Sequence, residues 1–406
     1  MMRRWIMPAF GLALALGSLS ACGSGSSASG DSGSSGGKSI TIGLVASQSG
    51  PTAVQGVAFA RGAQLAATTI NAAGGIKALG GATLNLKLKD DTGDPQAARQ
   101  ALSDFASDDS TVAIAGPYGS GVCLGAAPVA EQAKIPMVCS GTDDGLTKQG
   151  YKYLFNMSPF GSNYVRGTFE YLKTARPDVK SVAVLYEDGP YGTNIDKQAK
   201  TIAPAEGFKL GTELSFKTGD TNLSPLVTRA ASSGAGAILV GGFTPDVINV
   251  LNAVQTTGNA GKIQVVGLTG NAVTNKVEAL GKAAEGVVGI TNWTDDLANR
   301  PDLKPYIDAY TKKFGEAPTA DSAVGWEVVQ TLAAALESAK STDREKVHEA
   351  LRSVSTEIGI MPPAPVHFDA TGALSDQGNM IVAAQVQNGK FVTVWPQKVA
   401  VASPEK

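Results

Sequence analysis

The sequence predicts an α/β protein built as two doubly wound lobes, and three observations carry that expectation. Alternating apolar residues, Ile40/Ile42/Leu44 and Leu84/Leu86/Leu88, have the period of strands and are separated by longer helical stretches. The same alternation restarts beyond residue 158, with strands expected at 182–186, 210–216, 237–240, 264–268 and 287–290 and helices at 194–205 and 246–257 between them. Finally, 406 residues exceed what a single ordinary core holds, so a second sheet is expected, not a longer first one.

Composition narrows the function. A hydrophobic content of 43% with 17% charged residues is that of a soluble globular chain. The net charge of −2 gives no footing for nucleic acid. His348 and His367 are the only histidines, and the three cysteines lack a zinc spacing, so no metal or other cofactor is expected. His348 reads as a surface residue.

Residues 1–21 read as a signal peptide: Arg3 and Arg4 form its basic region and 6–19 an apolar region too short for a membrane span. Leu19-Ser20-Ala21-Cys22 resembles the bacterial lipobox, which implies an acylated Cys22 as the mature N-terminus. Residues 22–38 are then a lipidated cysteine and a flexible Gly/Ser linker. Gly33-Ser34-Ser35-Gly36-Gly37 matches the nucleophile-elbow spacing, but no strand precedes it and no helix follows.

In the first lobe, the strand around Ile40 ends in Ser47-Gln48-Ser49-Gly50-Pro51, and a helix runs on to Ala73 before Gly74-Gly75. Asp94-Pro95 is a cap followed by the first helical position. The central stretch reads as a strand at 112–115, the turn Gly116-Pro117-Tyr118-Gly119-Ser120-Gly121, an apolar helix, and a second strand that ends in Ser140-Gly141-Thr142-Asp143-Asp144. Parallel strands open both turns on one edge, where the Ser120 hydroxyl and free helix amides suit a carboxylate. Cys123 and Cys139 fall close enough there for a disulfide to be expected.

Ser49-Gly50-Pro51, Ile70-Asn71-Ala72-Ala73-Gly74-Gly75-Ile76 and Asp90-Asp91-Thr92-Gly93-Asp94-Pro95 resemble the leucine/isoleucine/valine-binding family of extracytoplasmic solute receptors. So do Ile135-Pro136-Met137-Val138, Tyr191-Gly192 and Gly241-Gly242-Phe243-Thr244-Pro245-Asp246, so that the resemblance covers most of 40–394. It implies the type I periplasmic binding protein fold: two Rossmann-like lobes joined by three crossovers, with the ligand between them. The lobes would be 39–157 with 291–366, and 158–290 with 367–406. Leu154-Phe155-Asn156-Met157-Ser158-Pro159 resembles the first crossover and Val366-His367-Phe368-Asp369 the third, followed by a hairpin around Asn388-Gly389.

Position by position, the resemblance makes Ser120 the carboxylate-binding serine and Gly141 a backbone contact to the ligand. Asp143 stands where amino-acid binders have a threonine on the ligand ammonium. Tyr191 and Phe243 match aromatic positions that cover the ligand. Thr269 stands where many amino-acid binders place a glutamate for the ammonium, so either Asp143 takes that role or the ligand lacks an α-ammonium. Tyr118, Gly119 and Thr142 complete the candidate set.

The expected function is that of a monomeric, lipid-anchored extracytoplasmic receptor. It would bind an amino acid of branched-chain type or a similar small carboxylate and deliver it to the membrane permease of an ABC importer. A sensor with the same fold is the alternative. An enzyme is not expected: Leu124 occupies the third small position of a dinucleotide fingerprint, and neither histidine lies near a nucleophile.

Overall fold

The computed structural model describes residues 38–297, 300–355, 366–375 and 381–405; the leader, Cys22 and the linker lie outside them. Gly37–Lys406 form one compact unit. Among the described residues no helix is long and apolar enough to cross a membrane.

The first sheet is built by β1 (Ser39–Val45), β2 (Thr83–Lys89), β3 (Thr111–Tyr118), β4 (Met137–Ser140) and β5 (Leu154–Asn156) in the order β2-β1-β3-β4-β5. All of its pairings are parallel. The connecting helices are α1 (Ala53–Ala72), α2 (Pro95–Ala106) and α3 (Ser120–Ala133). Asp94 starts α2 as its sequence predicts, its carboxylate accepting from the amides of Gln96 and Ala97 while Pro95 takes the first helical position.

The chain then leaves this sheet through α4 (Gly161–Ala175) and repeats the plan. Strands β6 (Ser181–Glu187), β7 (Lys209–Phe216), β8 (Ala237–Gly241), β9 (Gln264–Gly267) and β10 (Val288–Thr291) alternate with α5 (Pro190–Ala205), α6 (Ser224–Ser232), α7 (Thr244–Thr256) and the short α8 (Asn275–Glu278). Read along the sheet they run β7-β6-β8-β9-β10, the strand order of the first sheet over again. Helix α5 starts at Pro190, a residue preformed for the first turn, so Tyr191 sits inside the helix and not in the loop before it.

Each sheet buries apolar side chains on both faces, as parallel sheets do. Ile40, Ile42 and Leu44 face one layer and Val45, Leu102 and Ile114 the other. Helices α9 (Lys304–Phe314), α10 (Ala320–Ala339) and α11 (Arg344–Arg352) come late in the chain, yet α10 lies against α1 on the first sheet. The two helices touch backbone to backbone: a Cβ on Gly325 would stand 2.0 Å from the Phe59 carbonyl oxygen. Glycine alone permits that approach, and it fixes the start of α10 behind the end of β3.

Val366, Phe368 and Leu374 also pack in the first core, and Ala373 bridges Asn156 at the end of β5. The antiparallel hairpin β11 (Val382–Gln387) and β12 (Lys390–Trp395) then extends the second sheet at β10. Asn388 and Gly389, both at positive φ, make its turn as the dipeptide predicts. Residues 376–380, between the expected third crossing and this hairpin, lie outside the described residues.

His348 corrects an expectation. It is buried, not a surface residue: its ring stacks on Tyr153 with centroids 4.3 Å apart, and Nε2 lies 3.0 Å from the Lys152 carbonyl oxygen. The apolar stripe of α11 carries it inward, and the carbonyl gives the ring its polar contact.

Candidate functional site

The C-terminal ends of the strands in both sheets meet across a small chamber. It is lined by Tyr118, Gly119, Ser120, Ser140, Gly141, Thr142, Tyr191, Phe243, Thr269 and Asn271. Its walls thus come from the turns after β3 and β4 on one side, and after β6, β8 and β9 on the other. In open α/β sheets this edge, where the strand order reverses, is where ligands bind.

The first wall is set by the β3–α3 turn. Gly119 has φ +113°, a conformation open to glycine and hardly to any other residue, and it swings Ser120 to the head of α3. The first helical hydrogen bond runs from the Cys123 amide to the Gly119 carbonyl, so the amides of Ser120, Gly121 and Val122 precede the ladder. Ser120 Oγ accepts from the amides of Thr142 and Asp143 at 3.0 and 3.1 Å. Both bonds use the oxygen, so the hydroxyl proton remains for another acceptor, and the two amide donors polarise it. A carboxylate at the head of α3 meets this proton and the positive end of the helix dipole.

Other members of this wall depart from expectation. The Gly141 amide donates to Asn156 Oδ1 at 2.8 Å, which leaves its carbonyl as the group it offers. Asp143 does not line the chamber: its carboxylate accepts from the Gly145 amide at 2.7 Å, and burial raises its pKa. The Tyr118 hydroxyl donates to Asp321 Oδ1 at 2.6 Å, in the first turn of α10. Asp321 is buried, and desolvation pushes its pKa up to about 7 against the opposing hydrogen bond.

The second wall is a hydroxyl–amide cluster. Tyr191 Oη and Thr269 Oγ1 lie 2.8 Å apart, and Asn271 Nδ2 donates to Thr269 Oγ1 at 3.1 Å and to the Gly242 carbonyl at 2.9 Å. Phe243 packs against Tyr191 with centroids 5.5 Å apart. Thr269 has φ +58°, a strained conformation for a β-branched residue. Its bonds to Tyr191 and Asn271 hold it there. Glu187 anchors the loop before Tyr191, accepting from the amides of Gly189 and Gly192, each at 2.7 Å, and from Thr218 Oγ1.

Side chains also clasp one wall to the other. Gln55 of α1 is fully buried and donates to Thr244 Oγ1 at 2.6 Å and Asn271 Oδ1 at 3.2 Å. Asn194 of α5 donates to the Thr142 carbonyl and to Asp144 Oδ2. The chamber opens into a wider cleft, bounded by Pro51, Pro95, Pro190 and Val122 among others.

The structure therefore gathers every candidate residue except Asp143 around one space. Ser140, Asn271, Gln55 and Asp321 were not among the candidates. Asn271 has a signal in the sequence, being a polar residue two places beyond Thr269 in the same strand-end turn. Asp321 has none, since it reaches Tyr118 only through the packing of α10. Cys123 and Cys139, expected as a disulfide, are buried free thiols in the structure. They lie side by side, burial and the neighbouring Cys139 thiol both raising the pKa of Cys123, while Cys123 Sγ also reaches the Pro117 carbonyl at 3.5 Å and Cys139 Sγ lies 3.9 Å from Asn156 Oδ1.

Known proteins share this plan. The family model described as "Periplasmic binding protein" matches residues 39–390. The Leu/Ile/Val-binding protein homolog 7 of Brucella melitensis is 28% identical over 381 residues, covering 89% of this chain and 93% of the relative. The substrate-binding protein LivJ of Streptococcus pneumoniae, solved in complex with isoleucine, superposes with a TM-score of 0.77 at 24% identity, covering 88% of this chain and all (100%) of that one. The solute-binding protein of an ABC transporter from Rhodopseudomonas palustris, in complex with 3,4-dihydroxybenzoic acid, gives 0.78 at 21% identity over 90% of this chain and 99% of its own. Twin sheets of one strand order, a chamber between their strand ends, and a family match across both make the conclusion direct: this chain belongs to the periplasmic binding protein family and has the type I fold.

Proposed function

We propose that this protein is an extracytoplasmic receptor that captures an amino acid or similar small carboxylate between its two lobes and hands it to the permease of an ABC importer. The observation that carries this reading is the Ser120 corner. A hydroxyl proton and the first amides of α3 converge on a chamber whose opposite wall comes from the other sheet. A ligand held there touches both walls, and contacts made only when the walls are together favour the closed state.

Relatives that bind isoleucine and 3,4-dihydroxybenzoic acid support a carboxylate as the shared feature. The reading includes acylation of Cys22 and a tether through the Gly/Ser linker, which keep the body at the membrane beside its permease. It assigns no catalytic role to the cleft. Asp94 and Glu187 of the wider cleft are tied to backbone amides, and no histidine or lysine lines either space.

Thermal melting against a panel of amino acids, amides, and aliphatic and aromatic acids tests it. A true ligand at a hundred times its dissociation constant stabilises by about 2.7 kcal/mol, a shift of several degrees or less in a chain of this size. A flat response to every carboxylate would contradict the proposal.

A further inference from the structure

An α-ammonium sits two bonds from the carboxylate carbon, so it must share the small chamber with Ser120. Among the described residues, the lining of that chamber contains no aspartate and no glutamate. Each carboxylate nearby is engaged elsewhere. Asp143 lies outside the lining and accepts from Gly145, and Asp246 accepts from the Phe243 amide at 2.8 Å. Glu187 borders only the wider cleft and is held by Gly189, Gly192 and Thr218. Asp321 stands behind the Tyr118 ring and takes that residue's proton.

What the chamber does offer is neutral: the Gly141 carbonyl as an acceptor, and donors at the head of α3. The Ser120 hydroxyl proton is one such donor, and the leading amides of α3 are others. The Tyr191–Thr269 pair is neutral and internally bonded, with the Leu268 carbonyl as a further acceptor for the Tyr191 hydroxyl. Such a lining favours an anion. An ammonium buried in it would lack the opposite charge that buried ions require.

We propose that the ligand of this cleft is a carboxylic acid without an α-ammonium group, its carboxylate at Ser120 and its apolar body directed to the wider space between Pro51, Pro95 and Pro190. This rests on the reading of the Ser120 chamber as the ligand site and narrows that reading to one class of acid. Thr269 is the residue that sets the choice, since it lines the second wall of the same chamber as Ser120 and carries no charge.

The test is calorimetric titration with two matched pairs, leucine with 4-methylpentanoate and phenylalanine with 3-phenylpropanoate, each pair differing only in the amino group. In the better-binding pair the acid lacking the amino group should bind at least tenfold more tightly than the amino acid. Thr269→Glu should reverse that preference, and because glutamate is not β-branched it suits the backbone at φ +58° at least as well. Circular dichroism melting would check that the variant folds, and the wild-type comparison stands without it. An amino acid that binds as tightly as its partner, or more tightly, overturns the inference. If Ser120→Ala still weakens that amino acid, the chamber remains the ligand site and only the ligand class is wrong. If neither pair binds, or Ser120→Ala changes nothing, the reading of the site falls and this inference falls with it.

Discussion

Ser120→Ala should weaken ligand binding ten- to a hundredfold. In the proposed complex the side chain would donate to a charged carboxylate, an interaction worth about 1.5–3 kcal/mol. The loss is larger than for an isolated serine because Thr142 and Asp143 both donate to Oγ and strengthen the proton it presents. The same substitution leaves those two amides without their acceptor, each at a cost of about 1–3 kcal/mol where water cannot reach it. The variant should therefore melt at a lower temperature as well as bind less. Titration well below that temperature separates the two effects. Unchanged affinity in the folded variant would refute the role of Ser120.

Stability should fall as pH rises from about 4.5 to 8, with Asp321 the largest contributor. Burial raises the folded-state pKa of Asp321 to about 7 and that of Asp246 to about 6. It also raises Asp91, Asp143 and Asp295. In the window between the unfolded and folded values the folded state holds more protons than the unfolded one. The derivative of unfolding free energy with pH is then negative, and the stabilisation is lost as pH climbs through the folded pKa. A single group contributes up to about 1.4 kcal/mol per pH unit inside its window. Carboxylates shifted the other way, such as Asp108 at about 2 through its bonds from Ser110 and Lys87, act only in more acidic solution. Asp321→Asn keeps an acceptor for the Tyr118 hydroxyl but cannot ionise. Its melting temperature should exceed that of the wild type at pH 8, with the gap closing toward pH 5. Parallel pH profiles for the two proteins would contradict this account of Asp321.

The architecture was legible where local chemistry decides it. Alternation at Ile40/Ile42/Leu44 and the Asp94-Pro95 start belong to single elements, and the second round of strands repeats the first in both sequence pattern and order. Ser120 was legible for the same reason, as a hydroxyl between glycines at the end of a strand. What escaped depends on side-chain direction or distant packing. Cys123 and Cys139 were placed side by side correctly, but spacing does not say whether two neighbouring thiols are joined, and here they are free. Asp143 could be read from the sequence as an ammonium partner or as a turn aspartate, and only the folded turn shows its Oδ1 on the Gly145 amide. The Tyr118–Asp321 pair joins residues more than two hundred positions apart, and only the close approach of α1 and α10 brings them together.

The central claim is that one ligand is gripped by both walls at once. Hydrogen exchange, measured with and without the acid that raises the melting temperature most, tests it directly. The account predicts that added ligand protects the β3–α3 turn around Ser120 and the Thr269–Asn271 turn in the same titration and at the same concentration. Protection confined to one of these turns, or found only elsewhere in the chain, would contradict it.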